Sequence, residues 1–243
     1  MVRAASSFNC LNSNKGLEGN ATRSSDLTLD KTLQGIIADL EGSATETFER
    51  STTIFFPRDP AEKLYFIKKG AVRLSRIYES GQEITVAFLK ENTLFGVSSV
   101  FAGSQMDRSC HAVAFTRVEM ETAPITSIRK AIEENTSVGL LFLQGLSSRL
   151  LQSTNMIETL QNRDVYSRLI SFLLLLCKDF GVAGNKGITI NLKISQEVIA
   201  EAIGSTRVTI TRHLGDLKSS GLLVINRQKI TIFDPKALAK HFN

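Results

Sequence analysis

The sequence predicts an α+β chain in which an antiparallel β-roll comes first and helices follow. Three observations carry that prediction. Apolar residues alternate with polar ones on both sides of a glycine turn in "AVRLSRIYESGQEITVAF", the period of half-buried strands. After Pro124 the apolar period changes to three and four residues. Near the C-terminus, two short helical segments with clear end signals flank a glycine and precede a second strand pair.

The elements follow in order along a chain of 243 residues, long enough for one large or two modest cores. Residues 1–27 are rich in Ser and Asn and lack the apolar run of a signal peptide, so a disordered tail is expected. Asp30 to Leu40 reads as a short helix with Leu33, Ile36, Ile37 and Leu40 on one face. From Thr47 to about Ala123 the strand period holds. Val72 and Leu74 alternate on one hairpin arm, and Ile84, Val86 and Phe88 on the other. Gly70, Gly81, Gly96 and Gly103 punctuate the strands, as in a jelly-roll-like β-roll or double-stranded β-helix. The predicted roll domain spans 28–135.

A weak amphipathic segment, Ile125 to Glu133, leads to a long helix from about Val138 to Gln161. Leu143, Leu146, Leu150, Ser153, Ile157 and Leu160 keep the spacing of a coiled-coil seam, so residues 136–163 are assigned as a dimerisation helix. Asp164 is placed to cap a second, buried helix, Val165 to Phe180. Gly181 to Gly187 reads as a loop and "ITINLKI" as a strand. Helices from Gln196 and from Thr206 follow, and "LLVIN RQ KITIF" is expected to close the chain as a hairpin.

Strand, two helices and hairpin in that order predict a winged helix-turn-helix over residues 164–243. Ser195 is placed to cap the first helix and Ser205 the second. Ala200 is small at the crossing, and Gly204 permits a left-handed turn. Ile210, Leu214 and Leu217 share a core face. Arg207, Val208, Thr211 and Arg212 share the opposite one, although β-branched residues lower helix propensity there. That choice suits a reading head in the major groove of DNA. Arginine bonds guanine bidentately, and valine or threonine methyls meet thymine methyls. Gln196, Ser205 and Thr206 are candidates for further DNA contacts, Thr206 to phosphate at the helix N-terminus, with Arg227 and Lys229 of the wing along the backbone. Charge agrees: residues 163–243 carry 12 Lys/Arg against 6 Asp/Glu, while the rest is nearly neutral.

Three scattered cysteines (Cys10, Cys110, Cys177) and three scattered histidines (His111, His213, His241) form no metal or disulfide pattern and fit a reducing cytoplasm. No nucleophile–base pair, paired catalytic carboxylates or phosphate loop points to an enzyme. The longest apolar run, Leu169 to Cys177, is too short to span a bilayer.

"AEAIGSTRVTITR" and "FERSTTIFFPRDPAEKLYF", with "HAVAF", "GLSSR" and "MIETL", closely resemble the NtcA-type global nitrogen regulators of cyanobacteria. These belong to the catabolite-activator/fumarate-nitrate-regulator superfamily, and the resemblance spans about Thr47 to Asn243. It implies a cytoplasmic homodimer, mainly an activator of nitrogen-assimilation genes, that binds an inverted repeat ending in GTA and TAC. It implies RNA polymerase and a small coactivator protein as partners, and 2-oxoglutarate as effector in place of any cofactor. A dianion needs cations and amide donors. In family terms these are the turn Phe95, Gly96, Val97 and Ser98, the roll's Arg108, and the helix's Arg149 with Thr154 beyond it. Ser98 stands where the family usually has leucine, Thr154 where it has glutamate, and His213 where an apolar residue is usual. The first two departures predict weaker effector binding or coupling. The alternative is a cAMP-responsive or effector-independent regulator of the same superfamily. Val97 after Gly96 leaves out the glutamate that cyclic-nucleotide pockets usually carry.

Overall fold

A computed structural model describes residues 32–101, 107–162 and 164–241, apart from the side chains of Ser148, Arg149 and Gln152. The expected tail 1–27, with Cys10, and Gly103 lie outside the described residues.

Eight strands build the roll: β1 (Ala44–Phe48), β2 (Thr53–Phe55), β3 (Lys63–Lys69), β4 (Val72–Ile77), β5 (Glu83–Leu89), β6 (Leu94–Phe95), β7 (His111–Ala114) and β8 (Val118–Pro124). They pair antiparallel in two sheets, β1-β8-β3-β6 and β2-β7-β4-β5. Tyr65, Ile67, Val72, Leu89 and Met120 fill the space between the sheets. Helix α1 (residues 32–39) buries Leu33 and Ile37, as its apolar face predicts, against the first sheet's outer side. Leu64 and Phe66 meet them there. Strand β3 is therefore buried on both faces, and Leu64 to Ile67 is an unbroken apolar run.

The β4–β5 turn forms as expected, with Gly81 at φ 80° and Tyr78 N–H donating to the Gln82 carbonyl at 2.9 Å. The second arm faces otherwise than the alternation suggested. Thr85 and Leu89 are its buried residues, while Val86 is exposed. Phe88 packs on Phe115 and on Phe172 of the C-terminal region. The register slips beside Leu74, leaving Val86 without a partner on β4, and one such residue exchanges the faces. Both faces of the arm carry apolar residues because the C-terminal region covers the outer one.

Helix α2 (Ser98–Phe101) is a single turn. Helix α3 (Ile125–Glu134) leads into α4 (Thr136–Leu160), and Asp164 caps α5 (Val165–Phe180) through the Ser167 N–H at 2.8 Å. The C-terminal core joins Leu169, Phe172 and Leu176 to Ile199, Ile210 and Leu214. Residues 181–187 are not a loop: β9 (Gly181–Gly184) pairs with β10 (Gly187–Ile190). A Cβ at Gly181 would lie 2.1 Å from the Cys177 carbonyl oxygen, so the glycine that imitates a loop is a packing requirement. The sheet continues through β12 (Lys229–Ile232) to β11 (Leu223–Asn226). Nor does the hairpin end the fold. Helix α8 (Pro235–Ala239), capped by Asp234, buries Leu238, and five residues are too few to show a period.

Arg73 of β4 joins the two regions. It pairs with Glu83 on its own sheet and with Glu201 of the first turn-flanking helix, both at 2.8 Å.

Candidate functional site

The helix pair consists of α6 (Gln196–Ile203) and α7 (Arg207–Ser219). Ser195 caps α6, its Oγ accepting from the Val198 N–H at 3.2 Å, and Gly204 takes φ 63°. The second cap differs from the expectation. Thr206, not Ser205, caps α7 by accepting from the Thr209 N–H at 3.2 Å. Ser205 still belongs to the end of α6, because its N–H donates to the Ala200 carbonyl at 3.0 Å. The left-handed glycine needs one further residue to close the first helix before the second begins.

On α7, Ile210, Leu214 and Leu217 are buried, while Arg207, Val208, Thr211 and Arg212 face solvent. Val208 is 79% exposed, so it adds nothing to the core it is carried by. The Thr211 hydroxyl lies 2.5 Å from Gln196 Oε1 and 2.8 Å from the Arg207 carbonyl, tying the reading face of α7 to α6. Arg227 and Gln228 make the tip of the wing with φ 48° and 66°, and Lys229 Nζ donates to Asn191 Oδ1 at 3.2 Å. His213 is half-buried, edge-on to Tyr166.

A second site lies in the roll, a cavity of about 270 Å³ between the strands and α4. Phe95, Gly96, Val97, Ser98 and Arg108 all line it. Arg108 is only 6% exposed, and its guanidinium lies over the Phe55 and Tyr65 rings at 4.6 and 5.3 Å. Nη2 donates to the Lys63 carbonyl, while Nε has no partner. Among the described residues no carboxylate forms an ion pair with it. Burial draws its pKa below the ordinary guanidinium value, against the opposing pull of Tyr65 and Cys110. Arginine remains charged even so. A buried cation without a counter-ion is costly, and ring faces and one carbonyl offset only part of that.

Gly96 makes the arrangement fit. Its φ is 83°, and a Cβ there would lie 2.8 Å from Arg108 Nη1. From α3, Arg129 donates to the Val100 and Ser99 carbonyls at 2.9 and 3.1 Å and closes the turn from behind. Gly145 and Leu146 bring α4 to the cavity. Arg129 carries no local signal of its role, and Leu146, which its spacing placed in the seam, is instead half-buried against the roll core and lines the cavity. Arg149 follows Gly145 by one turn on the same side of α4, but its side chain lies outside the described residues. Thr154 does not line the cavity. It is exposed, and its hydroxyl donates to the Leu150 carbonyl at 3.0 Å. His111 is held structurally, Nε2 3.1 Å from the Thr53 hydroxyl and the ring stacked on Phe56.

On the outer side of α4, Leu143, Leu150, Ile157 and Leu160 are exposed, Leu150 by 69%. Among the described residues no helix is long and apolar enough to cross a membrane, and no group of three His, Cys, Asp or Glu side chains could hold a metal.

A roll with a cavity, carried on a capped helix pair with a wing, is the build of a DNA-binding transcription regulator. A Crp-like helix-turn-helix domain matches residues 167–241 and a cyclic nucleotide-binding domain residues 45–135. The fold is that of FixK2 from Bradyrhizobium japonicum (TM-score 0.72, 21% identity, 82% of this chain and 97% of that one). The chain belongs to the global nitrogen regulator family. It is 55% identical to the global nitrogen regulator of Synechocystis sp. over 89% of this chain and 98% of that protein. To that of Synechococcus elongatus it is 58% identical, over 82% and 89%. A CRP-like cAMP-activated global regulator of Mycobacterium tuberculosis is 26% identical, over 79% and 85%. These relatives are transcription regulators rather than enzymes.

Proposed function

We propose that the chain is a homodimeric, cytoplasmic activator of nitrogen-assimilation genes whose DNA affinity is tuned by 2-oxoglutarate held in the roll cavity. The observation that carries this reading is Arg108: a buried, unpaired cation beside a glycine that leaves it room. A carboxylate is the natural counter-ion, and a charge-assisted bond away from water is strong. Phe95, Gly96, Val97 and Ser98 supply the turn, and Arg149 comes from α4. The cavity, about 270 Å³, has room for a small dicarboxylate. The side chain of buried Val97 offers no acceptor for a ribose hydroxyl.

The exposed stripe on α4 supports a second copy of the chain, which sets the two reading helices about 34 Å apart on successive major grooves. Arg207, Val208, Thr211 and Arg212 then read the GTA and TAC ends. Gln196, Ser205, Thr206, Arg227 and Lys229 hold the backbone. RNA polymerase and a small coactivator protein are the further partners.

Titration calorimetry of the full chain with 2-oxoglutarate and with cAMP tests the effector. Binding of the first and its loss in Arg108→Met are expected. Binding of cAMP alone would move the chain to the cyclic-nucleotide branch. Sedimentation tests the assembly: the wild type is expected to be a dimer at micromolar concentration and Leu150→Glu a monomer.

A further inference from the structure

The long helix α4 carries the exposed apolar stripe, while α5 carries the core on which α7 rests. Only Asn162 and Arg163 lie between Gln161, which closes α4, and Asp164, which caps α5. Asn162 ties the two helices together. Its Nδ2 donates to the Thr159 carbonyl in the last turn of α4 at 3.1 Å and to the Ser171 hydroxyl of α5 at 2.9 Å. Arg168 of α5 extends the tie. Nη1 donates to the Asn162 carbonyl and Nη2 to the Gly204 carbonyl, both at 3.4 Å, while Nε has no partner. Gly204 is the left-handed residue that turns α6 into α7. The joint and the start of the reading helix thus share one guanidinium, whose planar fork holds two acceptors in a fixed relation.

Apolar packing already seats α7 on α5, through Leu169, Phe172, Ile210 and Leu214. Among the described residues of α4, only Met156 reaches that core, so the swing of α4 is left to the polar ties. Hydrogen bonds weaken steeply off their angle, whereas apolar contact is non-directional, so an angle is better held by the first. In a dimer on an inverted repeat, a change in that angle alters the separation of the two α7 helices. We propose that Asn162 and Arg168 are positioning residues that fix the angle between α4 and the reading helix, and so set which separation of half-sites the chain accepts. This rests on the reading of the chain as a dimer on an inverted repeat. The base contacts of α7 specify the sequence within a half-site, and the joint specifies the distance between half-sites.

The test is a set of gel shifts with the full chain at one fixed salt concentration. The duplexes carry the GTA and TAC half-sites at the separation the wild type prefers, one base pair closer and one farther apart, together with a single half-site. Asn162→Asp keeps the side-chain shape and removes both donors, and Arg168→Gln removes the fork. Each is expected to lower the ratio of affinities for preferred and shifted separations roughly two- to tenfold, the net contribution of a single hydrogen bond, and to leave the single half-site unchanged. Arg168→Lys, which reaches one carbonyl at a time, is expected to fall between. Melting temperatures check that each variant is folded, and Asn162→Ala replaces Asn162→Asp if the added carboxylate prevents folding. An unchanged ratio overturns the proposal. Equal loss on every duplex, the single half-site included, also overturns it, because the two residues then only support the fold. A wild type that sediments as a monomer overturns it together with the dimer reading. A dimer whose variants keep the wild-type spacing preference overturns the joint alone.

Discussion

The C-terminal helix pair and the roll expose their functional groups in opposite ways. On α7 the reading residues are solvated and contiguous, and the core on the far face is complete without them. In the roll the cation proposed to bind the effector is buried, beside Gly96 and in a cavity that Gly145 also lines, with Arg129 holding the turn from behind. A solvent-facing site leaves stability untouched. A buried one makes the fold carry a charge that no carboxylate among the described residues pairs.

The largest effect that sharpens this contrast is on the core face of α7. Leu214→Ala is expected to cost about 2–5 kcal/mol in chemical denaturation, because Leu214 is buried. Val208→Ala, six residues earlier, is expected to stay within about 0.5 kcal/mol while weakening cognate DNA binding. Similar losses of stability in both would erase the distinction between the faces. In the roll the sign reverses. Arg108→Met is expected to raise stability by about 1–4 kcal/mol by replacing a buried ion with an apolar chain. A lower melting temperature would mean that the ring and carbonyl contacts of Arg108 outweigh its burial.

Next in size is DNA reading. Arg207→Ala is expected to cost about 1–3 kcal/mol on a cognate duplex and little on a scrambled one. Lys229→Ala should weaken both alike. Gel shifts at one salt concentration separate the cases, and equal loss for Arg207→Ala removes it from the reading face. The smallest effect concerns Thr154, where the family usually has glutamate. The residue is exposed, so Thr154→Glu fits without strain. It is expected to enlarge the ratio of DNA affinities with and without 2-oxoglutarate, by about 0–1 kcal/mol of coupling. An unchanged ratio would mark position 154 as a solvated helix face.

The same contrast explains what was legible in the sequence. Caps, turn glycine and the two faces of α7 are local signals, and Ser195, Gly204, Ile210 and Leu214 stand where they place them. The error of one residue at the second cap arose because Ser205 and Thr206 are chemically equivalent as caps, and only the end of α6 decides between them. The turn from Phe95 to Val97 and Arg108 were legible through resemblance; that they face one cavity depends on the fold. Arg129 and Gly145 gain their places at the cavity from packing between elements far apart in the chain. Val86 and Phe88 misled because alternation reports a buried face only where the other face is wet. The Gly181 strand was hidden by a glycine chosen for close contact.

Arg73 has one further consequence. It holds Glu201 of the helix pair, and its chain neighbour Leu74 lines the cavity. The two sites thus meet on a single strand, one peptide unit apart. Any ligand that prefers one position of β4 also prefers one position of α6, and thermodynamic linkage makes that preference mutual. An operator sequence is then itself an effector of the roll. On the proposed reading of the roll cavity, protein seated on its promoter holds 2-oxoglutarate more tightly than protein free in solution, by the same factor with which 2-oxoglutarate tightens its grip on DNA.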